Sequence, residues 1–399
     1  MAKKLSSAIG VDIGSQAIKV AEVRLQGSTP AVTALGSVPT PPGAVDHVGV
    51  HDPDAVGAAL KGLIGSAGAG SADVVVSIAG QGAVLVRTLE VPNMSESELK
   101  QHMDWEITRN IPFAESTVVS DFKAFSATAD NPQNMDVVMA IAPQSAVDTL
   151  VQTIKKAGKK PAAIDVEPLG IARLLATTGG SAYDGKSVCV VHVGHTSTAI
   201  NIYKDGKLLM PRTVPVGGEM TTRAISESLG VTLEEAEATK RTEANIPAGA
   251  ASLAPAFEDA AGEAFAPYNP FADPDEVVAA QPEAPAAPEP EPAAPEPAEN
   301  DGGRVFQAIA PVVDEFVAEV RRSIDYFRSK GGDVDVIVVT GGGAKLKGLA
   351  RLLQDALGLP TSVLDPLKGL QSGGSVTPGS PEDNTEYTVA IGNALHIAF

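Results

Sequence analysis

The sequence predicts a duplicated α/β fold of two lobes with a ligand cleft between them. Its 399 residues alternate apolar strands with amphipathic helices, and two pairs of segments resemble each other across the halves of the chain. Segment 7–23 resembles 188–204, and 73–80 resembles 335–342. Each half therefore holds a strand, a glycine turn and a second strand, and later an apolar strand followed by small residues. A cleft between two such copies is a usual place for a ligand.

Hydrophobic periodicity predicts four strands and three helices in the first half. These are strands at 8–13, 18–23, 73–78 and 136–142, and helices at 54–64, from 95 onward, and at 146–157. Ser95 and Glu98 have the spacing of a capping box, which marks the beginning of the second helix. Leu99, Met103 and Ile107 follow at intervals of four residues and give that helix one apolar face.

The second half repeats this pattern. Its predicted elements are strands at 187–193, 198–203 and 334–339, and helices at 221–229, past residue 303, and ending near 357. Asp205 and Gly206 are the turn signal of a β-hairpin. The helix past residue 303 has an apolar face made of Ile309, Val312, Phe316, Val320, Ile324 and Phe327.

Negative charge and proline are concentrated in one segment, 245–303. It contains twelve Asp or Glu and no Lys or Arg, so it supplies −12 of the formal net charge of −19. It also contains twelve of the thirty prolines, which block helices and sheet ladders. We predict a disordered, extended insert that is either a passive loop or a docking site for a partner. The acidity argues against nucleic-acid binding by the chain as a whole.

The rest of the composition indicates a cytoplasmic globular protein. Apolar residues make up 44% and charged residues 20% of the chain, as is normal for soluble domains. The single cysteine, Cys189, lies in an apolar run, which predicts a buried thiol and excludes a disulfide framework. No stretch approaches the roughly 18 uninterrupted apolar residues that cross a bilayer. We therefore predict no direct insertion into a membrane, and contact with one only through a partner.

Asp12, Gly14, Ser15 and, in the next strand, Lys19 form the first candidate phosphate site. Glycine lets a turn bring backbone N–H groups close to phosphate oxygens, and the Ser15 hydroxyl adds a donor. Asp12, at the predicted strand end, supplies a carboxylate through which hydrated Mg²⁺ could bind beside the phosphates. A plain structural turn is the alternative interpretation of these residues.

A second turn of this kind contains Gly194, His195, Thr196 and Ser197. Its place in the second half mirrors that of the first turn, which favours both turns holding one phosphate chain. His192 lies just before it. We interpret His192 as a packed, hydrogen-bonded imidazole, because no third ligand for a metal site is evident.

Gly217 and Gly218 precede a predicted helix, whose N-terminus favours the approach of an anion. Glu237 and Lys240 lie three residues apart on the next helical pattern. Their side chains either reach a ribose or a base, or they belong to a solvated helix face.

Gly341, Gly342 and Gly343 follow an apolar strand, and Lys345 comes two residues later. Three glycines at the end of a buried strand let a flat group pack on the backbone. Competing motifs are missing from the sequence. There is no G-x-S-x-G elbow, no H-E-x-x-H, and no G-x-G-x-x-G after the first strand.

Seven segments together resemble the PilM family of type IV pilus assembly proteins, relatives of FtsA within the actin, sugar kinase and heat-shock chaperone superfamily. They are GVDIGSQAIKVAEV (10–23), LEVPNMSESELKQHMDWEITRNIPF (89–113), AGKKPAAIDVEPLGIARL (157–174), PVGGEMTTRAISESLGVTLEEAEATK (215–240), SIDYFRSK (323–330), VTGGGAKLKGL (339–349) and TVAIGNAL (388–395). The resemblance covers the chain except for 245–303.

The resemblance implies an actin-like, ribonuclease H-like duplicated fold with a nucleotide cleft and a small FtsA-like extra subdomain. The implied parts are a first lobe (1–84), the small subdomain (85–170), a second lobe (171–244), the acidic insert (245–303), the second lobe continued (304–375) and a return to the first lobe (376–399).

The resemblance also implies roles for the candidate residues around ATP or ADP. Asp12, with Mg²⁺, and Gly14, Ser15 and Lys19 would serve the first phosphate loop, and Gly194, His195, Thr196 and Ser197 the second. The sugar, base and nearby phosphate would be surrounded by Gly217, Gly218, Glu237, Lys240, Gly341, Gly342, Gly343 and Lys345.

His192 departs from the family pattern, in which an aspartate usually begins the second phosphate loop. A carboxylate there orients metal-bound or attacking water. A neutral imidazole does this poorly, and a protonated imidazole repels the metal. We therefore expect nucleotide binding with slow or absent hydrolysis.

The implied function is a cytoplasmic scaffold at the inner face of the inner membrane. It would take the N-terminal peptide of a PilN-like inner-membrane protein in a groove beside 85–170, contact other pilus assembly proteins, and is compatible with a homo-oligomer. One alternative is a small-molecule kinase, for which Asp165 and Asp184 are catalytic candidates only by default. The other is an FtsA-like membrane tether, which needs an amphipathic helix beyond 388–395, where this chain stops at Phe399.

Overall fold

The fold is described from a computed structural model over residues 5–78, 80, 82–113, 117–125, 133–250, 301–373, 376 and 379–399. The strands are β1 (Ser7–Ile13), β2 (Ala17–Gln26), β3 (Thr29–Pro39), β4 (Asp73–Ile78), β5 (Leu85–Pro92), β6 (Val118–Phe125), β7 (Asn134–Pro143), β8 (Lys160–Val166), β9 (Ser187–Val193), β10 (Thr198–Lys204), β11 (Lys207–Val214), β12 (Val336–Thr340), β13 (Thr361–Val363) and β14 (Gln371–Ser372). The helices are α1 (Pro53–Ala67), α2 (Glu96–Arg109), α3 (Gln144–Lys156), α4 (Glu167–Thr178), α5 (Gly218–Leu229), α6 (Leu233–Glu243), α7 (Asp301–Ser329), α8 (Leu349–Leu357), α9 (Pro381–Asn384) and α10 (Thr388–Ala394).

Two sheets repeat one strand order, which confirms the predicted duplication. The first sheet runs β14-β3-β2-β1-β4-β8 and the second runs β11-β10-β9-β12-β13. In the first, β1 is antiparallel to β2 and parallel to β4. In the second, β9 is antiparallel to β10 and parallel to β12. Each sheet therefore contains a meander of three antiparallel strands, followed by parallel strands that are connected to it through helices.

The two glycine turns set the correspondence between the halves. The Gly14 N–H donates to the Ala17 carbonyl at 3.1 Å, and the Gly194 N–H donates to the Ser197 carbonyl at 2.9 Å. The donor residues, Gly14 and Gly194, are 180 positions apart, and so are the acceptor residues, Ala17 and Ser197. The turns are thus equivalent parts of two copies.

This offset makes His192 the counterpart of Asp12. The sequence suggests a pairing of segment 7–23 with 188–204, which differs from the structural offset by one residue. Neighbouring residues of a strand point to opposite faces, so a displacement of one residue would have separated these two side chains. The structure instead places them in equivalent positions.

The third sheet, β5-β7-β6, forms a small unit with α2. Leu99, Met103 and Ile107 of α2 are buried against this sheet, as their spacing predicts. Ser95 and Glu98 make both hydrogen bonds of the predicted capping box. The sequence therefore located both the beginning of the helix and its buried face.

The small unit ends earlier than the predicted range 85–170. β8 pairs with β4 in parallel, and α3 packs beside α1, so both belong to the first lobe. The reason is that β4 is an interior strand and needs a hydrogen-bonded neighbour on its second edge. At its other end the unit reaches the second lobe, because the Thr88 hydroxyl donates to the Leu209 carbonyl at 2.8 Å.

Helices α4 and α10 lie between the two sheets and join the lobes. Their apolar side chains share one buried cluster with Val190 and Val338 of the second sheet. The helices cross at glycines: a Cβ on Gly392 would lie 2.3 Å from the Gly170 carbonyl oxygen. Small residues at a crossing allow such close approach of two helix backbones.

The second lobe extends into both ends of the predicted insert 245–303. Ile246 is fully buried, and its N–H donates to the Lys347 carbonyl at 2.9 Å. Helix α7 begins at Asp301. The prediction of disorder for the remainder, 251–300, falls outside the described residues.

Helix α7 packs on the second sheet through a face close to the predicted one. The buried predicted residues are Ile309, Phe316, Val320 and Ile324. Val313 is also buried in that core, whereas Val312 is not. Val312, Val313 and Phe316 all line the cavity between the lobes.

Cys189 is fully buried in β9, and burial raises the pKa of its thiol to about 12. The thiol therefore behaves as the small core residue predicted from its apolar surroundings. Within the described ranges, no helix is both long enough and apolar enough to cross a bilayer.

Candidate functional site

A cavity of about 1040 Å³ lies between the two lobes and takes its wall from both. Every predicted site residue except Gly341 contributes to this wall. These residues are Asp12, Gly14, Ser15, Lys19, Gly194, His195, Thr196, Ser197, Gly217, Gly218, Glu237, Lys240, Gly342, Gly343 and Lys345. The fold thus brings together residues that are more than 300 positions apart in the sequence.

The first turn is held from two sides. Asp12 and Lys19 are opposite each other in the β1–β2 ladder, and their side chains form an ion pair at 3.0 Å. Both side chains are 15% exposed. Beyond them, the Thr40 hydroxyl donates to the Gly14 carbonyl at 2.6 Å. The turn is therefore fixed before any ligand arrives.

The second turn is clamped by the beginning of α5. The N–H groups of Gly218 and Glu219 donate to the carbonyls of Gly194 and His195 at 3.0 and 2.8 Å. The sequence predicts that the N-terminus of this helix accepts an anion, but in the structure these two N–H groups are already hydrogen-bonded within the protein. Gly217 makes this possible, because its Cα lies against the backbone of the turn.

Glu237 and Lys240 tie α6 to α5 and are not a solvated face. The Lys240 ammonium lies 2.6 Å from a Glu237 carboxylate oxygen and donates to the Gly218 carbonyl at 2.9 Å. Thr222 of α5 donates its hydroxyl to Glu237 at 2.7 Å. Burial raises the pKa of Glu237, but hydrogen bonds from Lys240, Thr222 and Arg241 outweigh it and leave that pKa lowered. Glu237 therefore stays ionised beside the cavity.

The three glycines after β12 have different structural roles. Gly341 has a φ of +87°, and a Cβ there would lie 2.5 Å from the Val193 carbonyl, so it lies behind the cavity wall. A Cβ on Gly343 would meet the Val193 side chain at 2.3 Å. Only Gly342 has open space beside it. Lys345 continues the wall and pairs with Glu386 at 3.1 Å.

His192 is packed and hydrogen-bonded, as the sequence suggested, and its partner is Glu167. His192 Nδ1 lies 2.7 Å from Glu167 Oε1, and the two side chains are 13% and 16% exposed. Burial lowers the pKa of His192, but the charge and hydrogen bond of Glu167, with help from Asp12, outweigh both burial and Lys19. The pKa of His192 is therefore raised, and the imidazolium form is favoured.

Glu167 is one of the cleft residues that sequence reasoning missed. It is the first residue of α4 and lines the cavity beside Pro168. Its segment, 157–174, contributes to the family resemblance. The available signal was a carboxylate at the start of a helix, where it is also favoured by the helix dipole.

The His192–Glu167 pair predicts a pH-dependent stability. Because the folded pKa of His192 is raised, its stabilising contribution is complete below the usual value of 6.5 and is lost as pH rises through the raised value. We expect the thermal midpoint of the wild type, relative to that of His192→Gln, to fall as pH rises from about 6 to about 9. Thermal unfolding of both proteins across this range measures it. A difference that stays constant with pH contradicts it.

A family model described as type IV pilus assembly protein PilM matches residues 10–261. That range is more than half of the chain. The chain belongs to the PilM family. A model of the cell division protein FtsA also matches, over residues 189–392.

Solved structures place the whole chain in the same fold. A chain of the PilM–PilN type IV pilus biogenesis complex is 27% identical with a TM-score of 0.76, and the match covers 100% of both chains. The ethanolamine utilization protein EutJ from Carboxydothermus hydrogenoformans is 15% identical with a TM-score of 0.50, over 98% of this chain and 91% of that one. These similarities confirm the predicted actin-like fold.

Two FtsA proteins are similar over part of the chain. FtsA from Bacillus subtilis (strain 168) is 26% identical over 210 residues, which is 52% of this chain and 40% of that protein. FtsA from Neisseria meningitidis serogroup B (strain ATCC BAA-335 / MC58) is 31% identical over 95 residues, 23% of this chain and 22% of that protein. The chain therefore spans less than half the length of either FtsA.

The cavity of this PilM-family chain fits a nucleotide. Ser15, Thr196 and Ser197 contribute hydroxyls, and Lys19 and Lys345 contribute ammonium groups, to the lining of the cavity. Hydroxyls, ammonium groups and turn backbone are the donors that phosphate oxygens accept from. The apolar side of the cavity, with Val313 and Phe316 of α7, suits a flat base.

The residues around Asp12 do not fit the predicted Mg²⁺ site. Mg²⁺ binds through one or two carboxylates together with phosphates and water. The Asp12 carboxylate already pairs with Lys19, and Glu167 already pairs with His192. Among the described residues, no group of three or more His, Cys, Asp or Glu side chains is arranged to hold a metal ion.

The two carboxylates considered for a kinase lie outside the cleft. Asp165 is 9% exposed and is paired with Arg173. Asp184 lines a separate, smaller cavity of about 370 Å³ beside Tyr183 and Tyr203. Neither lines the cavity that the two turns face, so this pair gives the kinase alternative no carboxylate in the cleft.

Proposed function

We propose that this chain is an ATP- or ADP-binding scaffold of type IV pilus assembly that holds the N-terminal peptide of a PilN-like inner-membrane protein. One observation carries the proposal: two equivalent turns, one from each lobe, face a single cavity in a chain that matches, over its full length, one chain of a PilM–PilN complex. A nucleotide held by both turns would favour one arrangement of the lobes.

The partner peptide is proposed to lie where the small unit meets the first lobe. There Leu85, Val86 and Arg87, at the start of β5, form part of the cleft wall together with His47. β5 is an edge strand of its sheet, and edge strands accept extended peptides through their free backbone groups. Nucleotide and peptide would then share one cavity wall, which supplies a route for coupling between them.

Localisation follows from this partner. The chain would be held at the inner face of the inner membrane by the peptide, without inserting itself. We also propose contacts with other pilus assembly proteins and self-association of the chain.

We further propose that hydrolysis of the nucleotide is slow or absent, because His192 occupies the position in the second lobe that Asp12 occupies in the first.

Calorimetry on the full chain tests the proposal. ATP is titrated in buffer containing Mg²⁺, with and without a synthetic N-terminal peptide of the PilN-like protein from the same organism. We expect both ligands to bind and ATP to change the affinity for the peptide. If ATP binds and the peptide does not, the partner assignment is wrong.

A matched pair of variants locates the peptide. Arg87→Ala alters the proposed groove, whereas Lys123→Ala alters the exposed, opposite edge of the same sheet. We expect Arg87→Ala to weaken peptide binding about tenfold, because arginines at interface centres often contribute more than 1 kcal/mol. Lys123→Ala should leave it unchanged. Equal effects of the two variants contradict the placement.

A further inference from the structure

The outer edge of β6 is open. Within the described residues, β6 lies at one end of the three-stranded sheet and pairs only with β7, from Val118 opposite Pro143 to Phe125 opposite Asp136. Its second edge therefore presents backbone N–H and C=O groups without a neighbouring strand in that part of the chain. Such an edge is a template for pairing with another chain.

One backbone group on this edge is bonded to a side chain of β6 itself. The Phe122 N–H donates to Asp121 Oδ1 at 2.8 Å. In an antiparallel ladder, alternate residues direct their N–H and C=O groups away from the neighbouring strand. The bond to Asp121 indicates that Phe122 directs its N–H to the open edge. A second strand lying there would accept this N–H and release the Asp121 carboxylate for another partner.

One face of β6 carries one charge of each sign. Asp121 and Lys123 are both exposed and lie two residues apart, so they point to the same face of the strand. The Lys123 ammonium lies 5.9 Å from the centre of the Phe125 ring, which is on that face as well. Within the described part of the chain, neither charge is paired with an opposite charge. Both are therefore available to an incoming strand.

The order of these charges is complementary to itself. When two copies of β6 pair antiparallel with Phe122 opposite Phe122, Asp121 of each copy lies directly opposite Lys123 of the other. Val119 then lies opposite Phe125, and such aromatic and β-branched pairs stabilise sheets, as do pairs of opposite charge. Sliding one strand by two residues in either direction places Asp121 opposite Asp121 or Lys123 opposite Lys123, which is unfavourable. The charges thus specify one register.

We propose that β6 is a homodimerisation edge, at which two copies of the chain pair antiparallel about a two-fold axis at Phe122. This pairing joins the two three-stranded sheets into one sheet of six strands. The partner is a second copy because the charge pattern matches itself, and a two-fold interface uses the same patch on both chains. The inference rests on the self-association in the proposed function and gives it a location. One pair of short strands buries little surface, so the dimer is weak and depends on concentration.

Analytical ultracentrifugation of the full chain over a range of concentrations tests the interface. Low ionic strength is used, because exposed charges are then least screened. We expect the wild type to show a monomer–dimer equilibrium. Asp121→Lys places lysine opposite lysine at both symmetric positions, and Lys123→Asp places aspartate opposite aspartate. Each variant alone should raise the dimer dissociation constant at least about tenfold, because two attractive pairs become two repulsive ones.

A mixture of the two variants is the sharper measurement. In a mixed pair, the two lysines of the Asp121→Lys chain lie opposite the two aspartates of the Lys123→Asp chain. An equimolar mixture should therefore dimerise about as well as the wild type, although neither variant does so alone. Lys100→Asp makes the same change of charge on the exposed side of α2 and should leave the equilibrium unchanged. Rescue by mixing also shows that both variants are folded.

Three outcomes overturn the inference. A wild type that stays monomeric at every concentration removes it together with the proposed self-association, and leaves nucleotide and peptide binding to be judged by calorimetry. A dimer that both single variants leave intact places self-association at another surface. A mixture that stays monomeric when each variant is monomeric contradicts the register, because that register requires the rescue.

Discussion

Gly217→Ala is expected to reduce ATP affinity by at least about tenfold, or 1.4 kcal/mol in binding free energy. A Cβ at this position would lie 2.4 Å from the His195 carbonyl oxygen and 2.8 Å from the Ser197 nitrogen. All of these atoms are backbone and cannot rotate away, so the second turn itself must move. A misplaced turn presents its donors in the wrong positions to a phosphate.

The neighbouring glycine provides a matched control. A Cβ on Gly218 would meet its nearest atoms at 3.5 and 3.6 Å, which is ordinary van der Waals contact. Gly218 is also the first residue of α5, where alanine is well tolerated. Calorimetry should therefore show near-normal ATP binding for Gly218→Ala. If the two variants bind equally, the second turn is not part of the nucleotide site.

Gly10→Ala is expected to destabilise the fold by about 3 kcal/mol or more, at the upper end of the range for overpacking. A Cβ on Gly10 would lie 1.9 Å from the Ala390 carbonyl oxygen and 2.4 Å from the Ala394 nitrogen. Helix α10 must then move away from β1. That movement also breaks the hydrogen bond from the Asn393 amide to the Val11 carbonyl, now 2.9 Å long.

Thermal and denaturant unfolding measure this effect, and Gly62→Ala is the control. Gly62 is an exposed residue inside α1, and a Cβ there meets nothing within 4 Å. Alanine is a better helix former than glycine by about 1 kcal/mol, so this variant should be slightly more stable than the wild type. A Gly10→Ala protein as stable as the wild type would contradict the close approach of α10 to β1.

The local elements were largely predictable from the sequence. The prediction for β9, 187–193, agrees with the structure at both ends, and the hairpin turn at Asp205 and Gly206 has the expected positive φ values of 48° and 75°. The sequence also predicts that the two glycine turns are equivalent, and the structure agrees. These features depend on residues within one turn or one strand, where periodicity, capping and backbone freedom act directly.

Elements stabilised by distant partners were not predictable in this way. β6 is exposed at most of its positions and has no clear alternation of apolar and polar residues. It exists because β7 pairs with it along its length. β8, likewise, becomes part of the first lobe only through its parallel pairing with β4.

The sequence by itself determined the duplicated fold and singled out fifteen of the residues that line the cleft, because glycine turns and apolar strands are local patterns. Tertiary structure alone decided which predicted glycines serve packing: Gly341 lies behind the wall and Gly217 against the second turn. It alone brought Glu167 to His192, 25 residues away, and Lys345 to Glu386, 41 residues away. Such pairs form only when two sheets and the helices between them are packed together, and no local pattern encodes that distance.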